Sequence, residues 1–331
     1  MRILSPMPRG NGAWVVHQRL SQGVEGYRLC DVDPRWGFFP PALGALCAGS
    51  ADIVHGIPDF AAYPLRARQR LVLTLHNYVL DPSMRAVASP AQALFYRWGL
   101  RAAYRRALGR AHAVTAVSRF TAQLLRSDLG FKGDVRVIYN GVDLRRFRPR
   151  AGPRSEGPLR VLFAANMSRR KGAHLLPAMA EALPSGIVIQ YLPGLRGRGR
   201  LPDHPRLEPL GPVPYARMHT LYQQADMVLY PSFREGFGLV AAEAMACGLP
   251  VVASDNSSLP EVVDHGLGGF LCETGSVEAH LNALMTLADS PARLRDMGHH
   301  NRERAEERFD ERDMFAAYRA LFVEVVDATF S

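Results

Sequence analysis

The sequence predicts an α/β fold of two domains, each built on a doubly wound parallel sheet. Short apolar runs, such as residues 71–75 and 249–253, alternate with helical patterns. This alternation is typical of parallel sheets with helices on both faces. The length of 331 residues suits two domains of about 150 residues each. A turn with Gly236 and Gly238 joins a strand to a helix in the second half, and such a turn favours anion binding.

The first domain is predicted at residues 1–150. Its strands are expected in apolar runs at residues 1–5, 51–55, 71–76 and 113–118. A glycine-containing turn at residues 8–13 precedes a helix that begins near Trp14, and a long helical pattern covers residues 89–110. Residues 148–158 are rich in Pro, Gly and Arg and show no periodicity, which predicts an interdomain linker.

The second domain is predicted at residues 151–311. Its strands are expected at residues 159–164, 187–191, 227–230 and 249–253, and its later helices at residues 277–289 and 292–308. A basic turn with Lys171 and Gly172 follows the first of these strands, and residues 196–200 alternate Arg with Gly in a loop. A terminal helix with apolar residues at Phe315, Tyr318 and Phe322 ends the chain.

The segment 230–263 is the most informative part of the sequence. Gly236 and Gly238 allow backbone amides to approach a ligand closely, and good helix formers begin at Leu239. Free N–H groups and the helix dipole favour a phosphate at such a turn. Glu235 precedes the turn and Glu243 lies roughly 6–8 Å inside the helix at 1.5 Å per residue. Carboxylates accept hydrogen bonds from sugar hydroxyls, although isolated glutamates at this spacing are usually solvated surface residues.

Composition limits the class of protein. With 47% apolar and 21% charged residues, the chain is an ordinary globular protein without an apolar run of about 20 residues. Residues 1–150 carry 22 Lys and Arg against 9 Asp and Glu, hence +13, and the remainder carries 18 against 22, hence −4. A basic half attracts nucleic acid, anionic membrane or phosphorylated substrates. Because the 4 cysteines are scattered and no signal peptide is expected, we predict reduced thiols in a cytoplasmic protein.

Segment 230–263 closely resembles the signature of retaining GT-B glycosyltransferases, specifically family 4, which uses nucleotide sugars. The resemblance extends to residues 135–143 and to the turn before Lys171. It implies two Rossmann-like domains that face each other across a cleft, with a C-terminal helix of about residues 312–331 crossing back to the first domain. It also implies nucleotide-sugar contacts at Gly12, Asn166, Lys171, Val213, Glu235, Gly236, Phe237, Gly238, Leu239, Val240 and Glu243.

The resemblance assigns catalytic roles to three residues. His76 would contact the transferred sugar, Lys171 would neutralise the leaving diphosphate and Glu235 would hold the sugar, with Glu243 on the ribose. The chain departs from the family pattern at two positions: Asn11 replaces a glycine of the first loop, and Asn166 stands where the family has an arginine. Lys171 is one of only two lysines among 40 basic residues, which favours a selected role.

The helical pattern at residues 89–110 has two interpretations. It mixes aromatic residues with Arg97, Arg101, Arg105 and Arg106. An amphipathic helix would pack its apolar face on the core and expose the arginines to solvent. Alternatively, its basic and aromatic face would rest on an anionic membrane, at the inner face of the cell membrane. Both interpretations fit the pattern.

The expected function is retaining hexosyl transfer from a GDP- or UDP-linked sugar to a glycan, lipid-linked or small-molecule acceptor, as in bacterial polysaccharide or glycoconjugate biosynthesis. Neither a metal nor a cofactor is expected, because Lys171 and helix amides would stabilise the leaving charge. Alternatives are a nucleotide-sugar epimerase or hydrolase of the same fold and a non-catalytic nucleotide-sugar-binding protein. A nucleic-acid-binding role is not expected, since the basic residues follow no binding motif.

Overall fold

A computed structural model describes residues 1–33, 35–36, 43–47, 49–78, 80–81, 99–154, 156–193 and 201–328. The chain divides into two compact units. We call Met1–Gly141 together with Glu311–Ser331 the first unit, and Val142–Asp310 the second unit. Each unit contains one sheet of six strands among its described residues, and the strand pairs within both sheets are parallel. The predicted pair of Rossmann-like sheets is therefore confirmed.

The sheet of the first unit has the strand order β2-β1-β3-β4-β5-β6. Its strands are β1 (Ile3–Pro8), β2 (Tyr27–Val32), β3 (Ile53–Gly56), β4 (Arg70–Leu75), β5 (Ala113–Ala116) and β6 (Arg136–Val137). The described helices of this unit are α1 (Gly12–Gly23), α2 (Leu43–Leu46), α3 (Arg101–Leu108), α4 (Arg119–Ser127) and α11 (Glu311–Asp327).

Strand β4 shows why both faces of this sheet are covered. Leu71 and Leu73 are buried in a core on one face, whereas Val72 is buried in a core on the other face. Successive side chains of a strand point to opposite faces, so a continuous apolar run fits a sheet with helices on both sides. Helix α11 supplies Tyr318 and Phe322 to the same core as Val72. The predicted return of the C-terminal helix to the first domain is thus confirmed.

The sheet of the second unit has the order β12-β11-β10-β7-β8-β9. Its strands are β7 (Leu159–Phe163), β8 (Ile187–Tyr191), β9 (Leu207–Pro209), β10 (Met227–Tyr230), β11 (Val251–Ser254) and β12 (Gly269–Cys272). Its α-helices are α5 (Leu176–Ala182), α6 (Met218–Gln224), α7 (Leu239–Ala246), α8 (Leu259–Val262), α9 (Val277–Ala288) and α10 (Pro291–Arg308). Because β7 and β10 are parallel neighbours, the turns that follow them lie at the same edge of the sheet.

The chain passes from the first unit to the second at Gly141, before the predicted linker at residues 148–158. The Val142 N–H donates to the Phe309 carbonyl oxygen at 2.7 Å. The ring of Phe147 is fully buried, and its centroid lies 5.9 Å from that of Tyr222. Residues 142–150 therefore pack as part of the second unit, which the sequence prediction had placed after residue 150.

The prediction of four reduced thiols is wrong. Cys30 and Cys47 form a disulfide across 17 positions of sequence, while Cys247 and Cys272 are free and buried. Cys47 follows α2 directly and is buried in a small core with Val32 at the end of β2. The pairing arises from tertiary packing of α2 near β2, and the cysteine spacing alone carries no signal for it.

The predicted helix at residues 89–110 is described only in part. Helix α3 covers Arg101–Leu108, and residues 89–98, which include Arg97, lie outside the described residues. The predicted loop at residues 196–200 also lies outside them. Among the described residues, no helix combines the length and the apolar character needed to cross a bilayer.

Candidate functional site

Two turns of the second unit bring opposite charges together. The first follows β7 and forms a short 3-10 helix at Arg169–Lys171, and the second follows β10 at residues 231–238. The two turns touch closely at Gly172, which has φ +78°, and a Cβ there would lie 2.2 Å from the Pro231 carbonyl oxygen. Only glycine adopts this conformation readily and allows such an approach. The close contact fixes Lys171 beside the second turn.

Lys171 and Glu235 form a buried ion pair between these turns. The Lys171 Nζ donates to Glu235 Oε1 and, at 2.9 Å, to the hydroxyl oxygen of Tyr230 at the end of β10. The two charged side chains are only 12% and 9% exposed. Removing two charges from water is costly, so a buried ion pair is rarely a stability device. Its position at the carboxyl edge of a parallel sheet instead favours a functional site.

Neighbouring groups hold the Glu235 carboxylate in place. Ser232 Oγ donates to Glu235 Oε1, and the Arg170 guanidinium lies 3.7 Å from the same oxygen. The Glu235 backbone N–H donates to Ser257 Oγ at 3.0 Å. Ser257 has φ +50°, a left-handed conformation that is uncommon for a residue other than glycine. This conformation places its hydroxyl against the turn.

Burial and the opposite charge of the partner both shift the pKa values of Lys171 and Glu235. Burial alone would raise the pKa of Glu235, but Lys171 and Arg170 outweigh it, and the pKa of this carboxyl is lowered. Burial lowers the pKa of Lys171, and Glu235 opposes that shift. Glu235 is therefore a carboxylate at neutral pH. The site holds one anion between two cations, one of which is an ammonium whose pKa is lowered by burial.

The turn at Gly238 opens helix α7. Gly238 has φ +100° and is the N-cap of Leu239–Ala246. The amides of Leu239 and Val240 fall within the first turn, where N–H groups have no acceptor inside the helix. Phe237 is buried, and its ring centroid lies 5.5 Å from that of Phe309. The predicted glycine turn at the start of a helix is therefore confirmed, whereas anion binding at this turn stays a prediction.

Glu243 is buried within helix α7 and is not a solvated helix residue. It is 3% exposed, and its two oxygens accept hydrogen bonds from the hydroxyls of Tyr215 and Tyr222. These two hydroxyls orient the carboxylate inside the second unit. Val213 is partly buried and lies two residues before Tyr215 in the same loop. The predicted contacts at Val213 and Glu243 thus belong to one neighbourhood.

The two departures from the family pattern have structural explanations. Asn166 is exposed, and the arginine nearest the carboxylate is Arg170, whose guanidinium also donates to the Arg234 carbonyl oxygen at 2.8 Å. Asn11 has an extended backbone and caps helix α1, since its side chain accepts from the Trp14 N–H at 2.8 Å. Gly12 is the first residue of that helix. An asparagine is a good N-cap, so this position tolerates the loss of glycine.

In the first unit, His76 follows β4 and belongs to a buried group that we call the histidine network: His17, His55 and His76. The Nε2 atoms of His17 and His76 are 3.0 Å apart. The Tyr27 hydroxyl lies 2.7 Å from Nδ1 of both His17 and His55. Burial lowers the pKa of all three histidines, that of His76 to about 3. All three rings are therefore neutral at neutral pH.

The arginines of helix α3 differ in their contacts. Arg101 forms an ion pair with Asp128 at 2.6 Å, while Arg105 and Arg106 are exposed. Arg101 is therefore engaged in an ion pair within the first unit, with its side chain 21% exposed. Arg97 lies outside the described residues.

Sequence reasoning missed several residues of the site. Tyr230 and Ser232 lie five and three positions before Glu235 in the sequence, so proximity to the motif was an available signal. Tyr215, Tyr222 and Ser257 are distant in sequence from the glutamates that they contact. No local pattern indicated these contacts.

Two family models match separate parts of the chain. The model for glycosyl transferases group 1 matches residues 205–304, and that for glycosyltransferase family 4 matches residues 10–146. The D-inositol 3-phosphate glycosyltransferase of Streptomyces avermitilis is 30% identical over 230 residues, which cover 58% of this chain and 49% of that protein. The MMP alpha-(1->4)-mannosyltransferase of Mycolicibacterium hassiacum is 28% identical and covers 84% and 72% respectively. The chain spans about half the length of the first relatives it matches.

Solved structures show the same fold. Sucrose-phosphate synthase from Thermosynechococcus elongatus matches with a TM-score of 0.82 at 18% identity, covering 99% of this chain and 100% of that one. HepE of Anabaena, in complex with UDP and glucose, matches with a TM-score of 0.77 at 21% identity, covering 98% and 99%. The two parallel sheets and these neighbours establish a GT-B fold.

Proposed function

We propose that this chain is a retaining glycosyltransferase that moves a hexose from a nucleotide-diphospho sugar to an acceptor hydroxyl. The observation that carries this proposal is the buried Lys171–Glu235 pair beside the open amides at the start of helix α7. A diphosphate needs cations and N–H donors, and a hexose needs hydrogen-bond acceptors. The second unit supplies both kinds of group at one edge of its sheet.

The reaction requires groups that stabilise negative charge on the leaving group. Breaking the bond between the sugar and the diphosphate places negative charge on a phosphate oxygen. Lys171 and the amides of Leu239 and Val240 would stabilise that charge, and preorganised donors of this kind are worth about 10²–10³ in kcat each. Arg170 would add a second cation. Because these groups carry positive charge themselves, we expect transfer without an added metal ion.

The carboxylates would recognise the two sugars of the donor. Glu243 would accept from the ribose hydroxyls, and the Tyr215 and Tyr222 hydroxyls would hold its carboxylate in place. Glu235 would accept from the hexose hydroxyls while it remains paired with Lys171. Neither carboxylate is proposed as a nucleophile. Retention would follow from substitution on one face of the sugar, with the leaving phosphate oxygen taking the proton of the acceptor hydroxyl.

The donor and acceptor classes follow from the relatives and from charge. Neighbours of the same fold are described in complex with UDP and with UDP-glucose, which supports a UDP-linked hexose. Several relatives are named for D-inositol 3-phosphate, which supports an anionic acceptor, and the +13 charge of residues 1–150 agrees with this. Exposed Arg105 and Arg106 would contact an anionic membrane surface if the acceptor is lipid-linked.

A ligand screen followed by an activity assay tests the proposal. A ligand that binds only the folded state raises the melting temperature, so a panel of nucleotides and nucleotide sugars should show one base with a clear shift. With that donor, Lys171→Ala and Glu235→Ala should each lose transfer while remaining folded. Full transfer by both purified variants would refute the site. Release of free sugar without any acceptor product would indicate a hydrolase instead.

A further inference from the structure

The histidine network contains two residues for which the proposed function has no role. His17 and His55 are fully buried, and they come from helix α1 and strand β3. Buried polar groups are costly unless every member has a partner, and apolar residues would fill the same space more simply. One atom stands out: Nδ1 of His76 is buried and has no hydrogen-bond partner among the described residues. That atom is where the network ends.

The partners of His17 determine where its proton lies. Ser5 Oγ and the Tyr27 hydroxyl both lie 2.7 Å from His17 Nδ1. Each hydroxyl has a proton to donate, and a neutral imidazole has one nitrogen that donates and one that accepts. Both hydroxyls can also accept, and Tyr27 has one proton for two histidines, because its oxygen also lies 2.7 Å from His55 Nδ1. When Ser5 or Tyr27 donates to His17 Nδ1, this nitrogen is the acceptor and the proton of His17 is on Nε2. The hydrogen bond at one ring nitrogen thus sets the state of the other.

The protonation of Nε2 in His17 determines the protonation of Nε2 in His76. The two Nε2 atoms are 3.0 Å apart, so only one of them carries a proton. If His17 donates from Nε2, then His76 accepts at Nε2 and carries its own proton on Nδ1. His55 supports the far side of the arrangement, because its Nδ1 contacts the Tyr27 hydroxyl and its Nε2 lies 2.7 Å from Thr74 Oγ1. The hydrogen bonds of His55 therefore anchor this part of the histidine network in the core.

We propose that His17 is a positioning residue that holds His76 in the tautomer with an N–H at Nδ1, so that His76 presents a neutral donor to an oxygen of the sugar substrate. This inference rests on the proposed function for the identity of the substrate. The tautomer itself is a property of the folded protein alone. A neutral donor suits a sugar hydroxyl, whereas a charged imidazolium would also attract phosphate groups.

The tautomer can be measured without any substrate. Protein labelled with ¹⁵N at histidine gives long-range ¹H–¹⁵N spectra that distinguish the two neutral tautomers, and a His76→Gln variant identifies the His76 signals by their loss. We expect wild-type His76 to be protonated at Nδ1 at neutral pH. In His17→Phe, which keeps an aromatic ring but no donor, His76 should become a mixture of tautomers. A wild-type His76 protonated at Nε2 would overturn the proposal.

A second set of variants keeps His17 and removes its donors. Ser5→Ala and Tyr27→Phe each leave one hydroxyl at His17 Nδ1, so each alone should preserve the His76 tautomer. The double variant removes both donors and should shift it. This set remains informative if His17→Phe fails to fold. An unchanged tautomer in the folded double variant would contradict the assigned direction of the hydrogen bonds.

Kinetics separate positioning from a merely structural role. Loss of one orienting hydrogen bond of about 1.4 kcal/mol corresponds to about tenfold, so His17→Phe should lower kcat about tenfold. His17→Gln, which keeps an N–H donor, should restore part of the loss. Nucleotide affinity, which the second unit supplies, should be unchanged in both. Equal losses in the two variants, or a parallel loss of nucleotide binding, would contradict positioning. If no donor is turned over by the wild type, the proposed function fails, and the NMR result still decides the tautomer.

Discussion

The Lys171–Glu235 pair allows stability and function to be separated by a double-mutant cycle. Lys171→Met leaves a carboxylate that is 7% exposed with Ser232 and the more distant Arg170 as its partners. Breaking a buried pair costs about 3–5 kcal/mol, and because Arg170 remains 3.7 Å away we expect about 3 kcal/mol. Glu235→Gln should cost less, about 1–2 kcal/mol, since Lys171 keeps its hydrogen bond to Tyr230.

The loss of stability in the double variant measures the coupling between the two residues. With both charges removed, no unpaired ion is buried, so its loss of stability should be smaller than the sum of the two single losses by about 1.5–3 kcal/mol. Transfer activity should be absent in all three variants. Stability would therefore recover in the double variant whereas function would not. This pattern distinguishes a site from a structural ion pair.

The assay can follow the two units separately. The three tryptophans are Trp14, Trp36 and Trp98, so fluorescence reports on the first unit, and circular dichroism reports on both. Urea melts should show a lower midpoint by circular dichroism in the single variants, with the fluorescence transition unchanged as an internal control. Additive losses of stability in the double variant would refute the electrostatic coupling. Wild-type transfer in any of the three variants would refute the proposed role of the pair.

Three further predictions follow from local geometry. Gly172→Ala should destabilise the second unit by more than about 2 kcal/mol, because φ is +78° and the new Cβ would meet the Pro231 carbonyl oxygen. The control Gly186→Ala, whose new Cβ would have no atom within 4 Å, should leave stability nearly unchanged in the same urea melts. Thiol titration of the denatured, unreduced protein should find two free cysteines, rising to the full 4 after reduction. Opening the Cys30–Cys47 bridge should cost up to about 3 kcal/mol for a loop of this size, and unchanged melts in reductant would contradict this. Because the pKa values of the three network histidines are lowered in the folded protein, the unfolded state binds more protons below pH 6.5. The free energy of unfolding should therefore fall as pH drops through this value, by up to about 1.4 kcal/mol per pH unit for each histidine. Melts followed by fluorescence should show a weaker dependence of stability on pH when one network histidine is replaced by phenylalanine.

The sequence was most informative where local rules and the final fold agree. Gly238 was predicted in the turn that opens a helix at Leu239, and the structure has positive φ there. The apolar runs of the strands are buried in the predicted sheets. These features depend on residues near one another in the chain, so pattern and propensity suffice to find them.

The rest depends on contacts between distant residues. Glu243 was found by its spacing from Glu235, but its tyrosine partners could not be, because Tyr215 lies 28 positions away. The disulfide was missed for the same reason, since α2 brings Cys47 to Cys30 only in the folded chain. Residues 142–150 were predicted in the first domain, because the irregular stretch rich in Pro, Gly and Arg at residues 148–158 was predicted as the linker. The burial of Phe147 decides otherwise, and a single aromatic side chain gives no periodic signal.

The Lys171–Glu235 pair and the histidine network differ in the kind of polar group that they bury. The pair in the second unit buries full charges, with Lys171 and Arg170 around the Glu235 carboxylate. The histidine network of the first unit buries neutral rings that are hydrogen-bonded to hydroxyl groups. Charge that develops on a departing diphosphate is stabilised by cations and oriented amides far more than by neutral rings. Affinity for the nucleotide should therefore reside in the second unit, while the histidine network should affect the rate and the orientation of the sugar.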